Sequence, residues 1–186
     1  MIKTFKLVSL LLAVLTVFSL AACGKSPSGE SGVKPADLIG KPFDEELDMA
    51  VVAGDKTFRV FADAAEVVEA LGSDYEYLET ISCTRNGMEK TYKYNGIKVE
   101  TLPTDDGDTV CLYVITGEGY TTPRGIGIGS TKDEVLAAYP EYYYDGYYYV
   151  FTKSNDPNNI GEKRIQIVME NDSVTEINIY APDYAQ

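Results

Sequence analysis

The chain has 186 residues, with 29 acidic against 16 basic side chains and a formal net charge of −13. That balance disfavours nucleic acid and anionic lipid surfaces as partners, because both are held by Lys and Arg that neutralise phosphate. There is no histidine, which excludes Ser-His-Asp and Cys-His catalysis and removes the commonest zinc ligand.

Lys3 and Lys6 precede an almost wholly apolar run over residues 7–20. A positive flank followed by an apolar stretch too short to span a bilayer comfortably is the layout of a secretory signal. The run closes on Leu20-Ala21-Ala22-Cys23, followed by Gly24, and this resembles the lipobox of bacterial lipoproteins. The resemblance implies cleavage before Cys23 and a diacylglycerol thioether on its sulfur. Residues 1–22 are then the signal peptide, and the mature protein is lipid-anchored at the cell membrane, facing outside the cytoplasm. An ordinary signal peptide, or an uncleaved anchor, with a chance cysteine is the alternative. Acyl chains bind at about 0.8 kcal/mol per buried CH₂, so such a chain is tethered rather than spanning. Losing Lys3 and Lys6 with the signal makes the mature protein more acidic still. Residues 23–40 are rich in Gly, Ser, Pro and Lys, the composition of a flexible stalk.

Residues 41–186 are long enough for one domain with its own core. Gly54-Asp55 between the strand-like runs 49–53 and 57–60 predicts a hairpin. Asp63 then opens a short amphipathic helix ending at Gly72. Strand-like runs follow at 78–83, 89–94, 97–102 and 110–116, separated by Asn86-Gly87, Asn95-Gly96 and an acidic turn at 105–108. Asn-Gly is a strong hairpin signal because both residues tolerate positive φ. A second helix begins at Thr131, where Glu134 completes a capping box, and stops at Pro140. Further strand-like runs lie at 142–144, 147–152, 164–170 and 174–180, with turns at Asp145-Gly146 and Asn171-Asp172. Ile165, Ile167 and Met169 face one way by period-two alternation, and Ile177 and Ile179 match them.

A shift of 68 residues lays Asp63 on Thr131, Glu66 on Glu134, Val67 on Val135 and Gly72 on Pro140. The expected fold is therefore α+β: two tandem helix-plus-antiparallel-meander repeats, about 47–116 and 120–181, with helices packed on one face of the sheet. The pattern Gly-Ile-x-Ile-Gly-Ser-Thr-x-x-Glu-Val from Gly125, followed by a Tyr-rich hairpin and two amphipathic strands, resembles the unit shared by SmpA/BamE small outer-membrane lipoproteins and tandem-repeat β-lactamase inhibitor proteins. It is also similar to lipoproteins of Gram-positive bacteria with a later Thr-Pro-x-Gly-Ile. The resemblance implies a scaffold or protein-binding module rather than an enzyme, without a cofactor and with a protein or cell-envelope partner.

Several sets of residues bear on chemistry. Gly125, Gly127 and Gly129 precede a helix as phosphate loops do, but the third glycine is misplaced for a dinucleotide fingerprint and Ser130-Thr131-Lys132 reverses the Walker order. A tight approach to the sheet and a helix entry fit better. Asp105, Asp106 and Asp108, and separately Asn155, Asp156, Asn158 and Asn159, offer oxygens of the kind calcium prefers, without EF-hand spacing. They carry the alternative function, a small-ligand or calcium-binding accessory module. Cys83 and Cys111 are a candidate disulfide in a compartment that permits one, worth about 3 to 4 kcal/mol on the chain-entropy model; two free thiols are the alternative. The candidate binding surface is the hairpin carrying Tyr142, Tyr143, Tyr144, Tyr147, Tyr148 and Tyr149, with about half its tyrosines outward by alternation. Cross-strand tyrosine pairing alone also explains such a run.

Overall fold

Short turns set most of this fold, because each one fixes the register of the strands beside it. The computed structural model describes residues 35–182; the expected signal peptide, Cys23 and the expected stalk as far as residue 34 lie outside the described residues. Residues 35–40, expected as the end of that stalk, instead pack on the fold, with Leu38 buried and Gly40 N–H donating to Ala138 O at 3.2 Å. A one-turn helix α1 (Pro35–Leu38) leads to the hairpin β1 (Ala50–Ala53) and β2 (Lys56–Arg59), then α2 (Ala64–Leu71). Four strands follow: β3 (Glu76–Ile81), β4 (Met88–Lys93), β5 (Ile97–Thr104) and β6 (Gly107–Ile115). After α3 (Lys132–Ala138) come β7 (Tyr143–Tyr144), β8 (Tyr149–Phe151), β9 (Arg164–Glu170) and β10 (Ser173–Tyr180).

The expected α+β fold of two helix-plus-meander repeats is overturned. The described chain is mostly β, with ten strands in two antiparallel sheets, and α2 and α3 span only eight and seven residues. Eight strands form one continuous sheet in the order β3-β4-β5-β6-β10-β9-β8-β7, because β6 pairs directly with β10. At 1.5 Å per residue each helix is only about 10–12 Å long, against a sheet about 34 Å wide at the usual strand spacing. The helices therefore cover a minor part of it, and the β1–β2 hairpin and the loop carrying Ile126 complete the layer with Met49, Val51 and Phe58. The match at a 68-residue shift compared helix ends, and caps and stops recur wherever helices do.

Cross-strand register lines up the buried face. Val99 pairs Tyr113, which pairs Ile179, then Ile165 and Phe151; a second row joins Ile97, Ile115, Ile177, Ile167 and Tyr149. The opposite face carries Lys98, Asn178 and Gln166 in the alternate positions, the apolar-in, polar-out pattern of a sheet covered on one side. The Asn95-Gly96 turn forms as the sequence indicates, with Tyr94 N–H donating to Ile97 O at 2.9 Å. Gly96 (φ +83) is approached so closely that a Cβ on Gly117 would lie 2.6 Å from its Cα. That contact lets the amides of Thr116 and Gly117 share the Gly96 carbonyl at 2.9 and 3.0 Å. Asn171 and Asp172 both take positive φ (52° and 61°), the requirement of a type I′ turn between β9 and β10.

Candidate functional site

The hairpin β7–β8 is positioned by what lies beneath α3. The Thr131 hydroxyl accepts from Glu134 N–H at 3.3 Å and the Glu134 carboxylate accepts from Thr131 N–H at 2.8 Å, closing the capping box. These bonds to Thr131 hold the Glu134 carboxyl below its ordinary range. Lys132 N–H donates to Asp172 O at 2.9 Å, which fastens the helix start to the β9–β10 turn. The Lys132 ammonium then sits 5.3 Å from the centroid of the Tyr149 ring, and the Tyr149 hydroxyl raises its pKa.

At the other end of α3 lies an ion pair that composition gave no reason to expect. Arg124 and Asp48 are fully buried, with Nη2 to Oδ2 at 2.6 Å and Nε to Oδ1 at 2.7 Å. The remaining guanidinium donors reach the carbonyls of Lys41 (2.6 Å), Ala138 (2.7 Å) and Pro42 (2.8 Å). Five donors thus meet five acceptors, which satisfies a guanidinium completely. The cation also lies 4.4 Å from the Tyr139 ring centroid and supplies a donor to the C-terminal carbonyl of α3, where a positive charge is favoured. Arg124 is the unspecified position of Thr122-Pro123-x-Gly125-Ile126; arginine is so seldom buried that nothing in the sequence singles it out.

Above this base, the six candidate tyrosines divide. Tyr142, Tyr144 and Tyr149 gather on the covered side, with ring centroids 5.6 Å apart for Tyr142–Tyr149 and 5.0 Å for Tyr144–Tyr149. Tyr143 and Tyr148 turn to the other side; burial raises both hydroxyl pKa values, with Arg164 opposing the rise at Tyr143 and Asn178 at Tyr148. Tyr147 stands at the tip. The expected two-residue turn at Asp145-Gly146 is corrected, since Tyr144 pairs Tyr149 and leaves a four-residue loop. The Asp145 carboxylate causes this: its Oδ1 accepts from the amides of Tyr147 (2.9 Å) and Tyr148 (2.8 Å), an Asx turn that draws both residues out of the strand. Tyr142, Tyr144 and Tyr147 remain 37, 55 and 60 % exposed. The residue of the run that enters the core completely is Tyr139.

The other candidates do not come together. Asp105 and Asp106 form the two-residue turn between β5 and β6, and Asp108 is held by Lys90 at 2.5 Å. Asp156 Oδ1 accepts from the Asn158 amide and side chain at 2.9 Å. Among the described residues no three His, Cys, Asp or Glu side chains gather as a metal site. In the glycine loop the amides are used internally: Gly125 and Ile126 bond Thr122, Gly127 bonds Ser130 Oγ and Gly129 bonds Val174 O.

The expected disulfide does not form. Cys83 is exposed after β3 and Cys111 is buried in β6, where its thiol donates to Glu100 O at 3.5 Å, and no bond joins the two sulfurs. Two strands separate β3 from β6, a distance of about 14 Å, twice what a disulfide spans. Cys111 is the extra residue of a bulge, between Leu112 opposite Glu100 and Val110 opposite Thr101. A chain with Cys23 replaced by serine should show two titratable thiols in denaturant without reductant, and only Cys83 should react quickly while folded. A count of zero thiols would restore the disulfide.

Compared with known proteins, the chain matches no family model, no curated protein and no solved structure.

Proposed function

We propose that the protein is a membrane-anchored extracytoplasmic lipoprotein, acylated on Cys23, whose folded part is a non-catalytic module that binds another protein or an envelope component through the 142–149 hairpin. One observation carries the binding reading: three exposed tyrosines at the end of the sheet are held in place by ring contacts and an Asx turn. Fixed tyrosines offer a large amphipathic surface with little entropy left to lose, which is why they concentrate binding energy. The surrounding Glu141 and Asp145 and the net charge of −13 favour a neutral or basic partner.

The test is crosslinking of the full lipidated chain in intact envelopes, beside a variant with Tyr142, Tyr144 and Tyr147 all changed to serine. The expected result is one crosslinked species that the triple variant loses while its melting temperature holds. Crosslinks unchanged in the variant would defeat the proposed surface. Labelled fatty acid should enter the wild-type chain and be absent from Cys23→Ser; equal labelling of both would remove the anchor.

A further inference from the structure

Among the described residues, the opposite end of the sheet is a free edge: all six residues of β3 are exposed, with Leu78 and Ile81 at 61 and 79 %, and β4 is the only described strand paired with it. Which backbone groups are unused follows from the register. Ser82 N–H donates to Gly87 O at 3.1 Å, so Ser82 and, by alternation, Thr80, Leu78 and Glu76 turn their amides and carbonyls toward β4. Those of Tyr77, Glu79 and Ile81 point away from the sheet. Edge strands are ordinarily blunted by lysine, proline, a bulge or a covering loop. Glu-Tyr-Leu-Glu-Thr-Ile contains neither lysine nor proline, and its pairing with β4 is regular over all six positions.

We propose that β3 is a main-chain docking site for an extended, basic segment of a partner protein, added as a ninth strand. Charge selects this occupant. Glu76 is paired with Lys93 at 3.1 Å, whereas Lys90, which lies directly opposite Glu79, turns to Asp108 instead. The Glu79 carboxylate therefore stays at the edge, where among the described residues only the Tyr77 hydroxyl donates to it, at 2.6 Å. A Lys or Arg on an incoming strand would meet it, while apolar residues covered Tyr77 and Ile81 on one face and Leu78 on the other. A second copy of the chain fits worse. The register that sets Tyr77 against Ile81 places Glu79 opposite Glu79, between two chains that each carry −13.

The site is separate from the tyrosine hairpin, about 34 Å away across the sheet, so each can fail alone. The experiment is selection of random heptapeptides on the full chain, followed by resynthesis of the enriched sequences. Alternating apolar peptides with a central Lys or Arg are expected, slowing hydrogen exchange at the amides of Tyr77, Glu79 and Ile81. Glu79→Pro removes both the carboxylate and an amide that the sheet does not use, as edge strands tolerate, and should weaken binding by more than the roughly tenfold that one main-chain hydrogen bond represents. Glu79→Lys should turn the selection toward acidic peptides. Methylating alternate peptide nitrogens should abolish binding with the protein unaltered, and the triple tyrosine-to-serine variant should bind normally. No enriched peptide, enrichment of acidic peptides by the wild type, binding indifferent to Glu79→Pro and N-methylation, or self-association through β3 would each overturn the proposal.

Discussion

Arg124→Ala is expected to destabilise the domain by about 3–5 kcal/mol, the range for removing one partner of a buried ion pair. The loss has three parts. Asp48 is left without its cation in a site where both side chains are fully buried. The α3 C-terminal carbonyl at Ala138 loses its guanidinium donor. The carbonyls of Lys41 and Pro42 lose the contacts that draw the segment before β1 against the helix. Arg124→Lys should recover little, since an ammonium has three donors where five are used and cannot lie flat on Tyr139. Asp48→Asn keeps the shape but strands the guanidinium, so a comparable cost is expected. Urea midpoints at an unchanged m value would measure all three variants. A loss under about 1 kcal/mol for Arg124→Ala would show that the pair contributes no more than a surface salt bridge does.

That pair also shows where reading the sequence stops. The turns at Gly54-Asp55, Asn95-Gly96 and Asn171-Asp172 were legible because these pairs state a local backbone requirement that no distant residue has to confirm, whereas Asn86-Gly87 closes a longer loop from Ser82. The Thr131–Glu134 capping box was legible for the same reason. Alternation at Ile165, Ile167, Ile177 and Ile179 correctly marked the buried face, which places these four side chains at 0 % exposure. What pairs with what was not legible. The β6–β10 junction that merges all eight strands has no local signature, and without it the two helix-and-strand stretches looked like separate repeats. Arg124 and Asp48 stand 76 residues apart, and a surface arginine would read identically. Within the tyrosine hairpin, alternation indicated only that about half the tyrosines face outward, without saying which. The carboxylate of Asp145 then competed with the strand ladder and moved Tyr147 and Tyr148 into the loop, because a side chain that bonds its own backbone offers an alternative to pairing.

Stability should fall steeply above about pH 10, and two core tyrosines give the reason. Burial raises the hydroxyl pKa of Tyr113 and of Tyr139 far above the ordinary value, the latter also through the Asp48 carboxylate and against Arg124 and Thr122. In the unfolded chain both lose their protons near pH 10. Above that pH the folded state holds more protons than the unfolded one, so each further unit of pH removes about 1.4 kcal/mol per tyrosine until the folded pKa is reached. Below pH 10 both states are protonated and the contribution is flat. Two such groups remove about 3 kcal/mol per pH unit, a large part of an ordinary domain's stability; Tyr94, pushed up to about 12 mainly by burial, adds to the same slope. Lysines titrate in this range too, and Phe variants isolate the tyrosine part. Tyr113→Phe forfeits the hydrogen bond to Arg59 O at 3.1 Å and should cost about 1 kcal/mol at pH 7. Tyr139→Phe removes a buried hydroxyl with no partner of hydrogen-bonding geometry and keeps the ring beneath Arg124, so it should cost less. Each variant should also flatten the alkaline slope, and the double variant should be more stable than wild type at pH 11 despite being less stable at pH 7. Urea midpoints measured from pH 8 to 11 that shift equally in all four proteins would mean that these hydroxyls already ionise in the folded state, and the burial that defines the core here would be wrong.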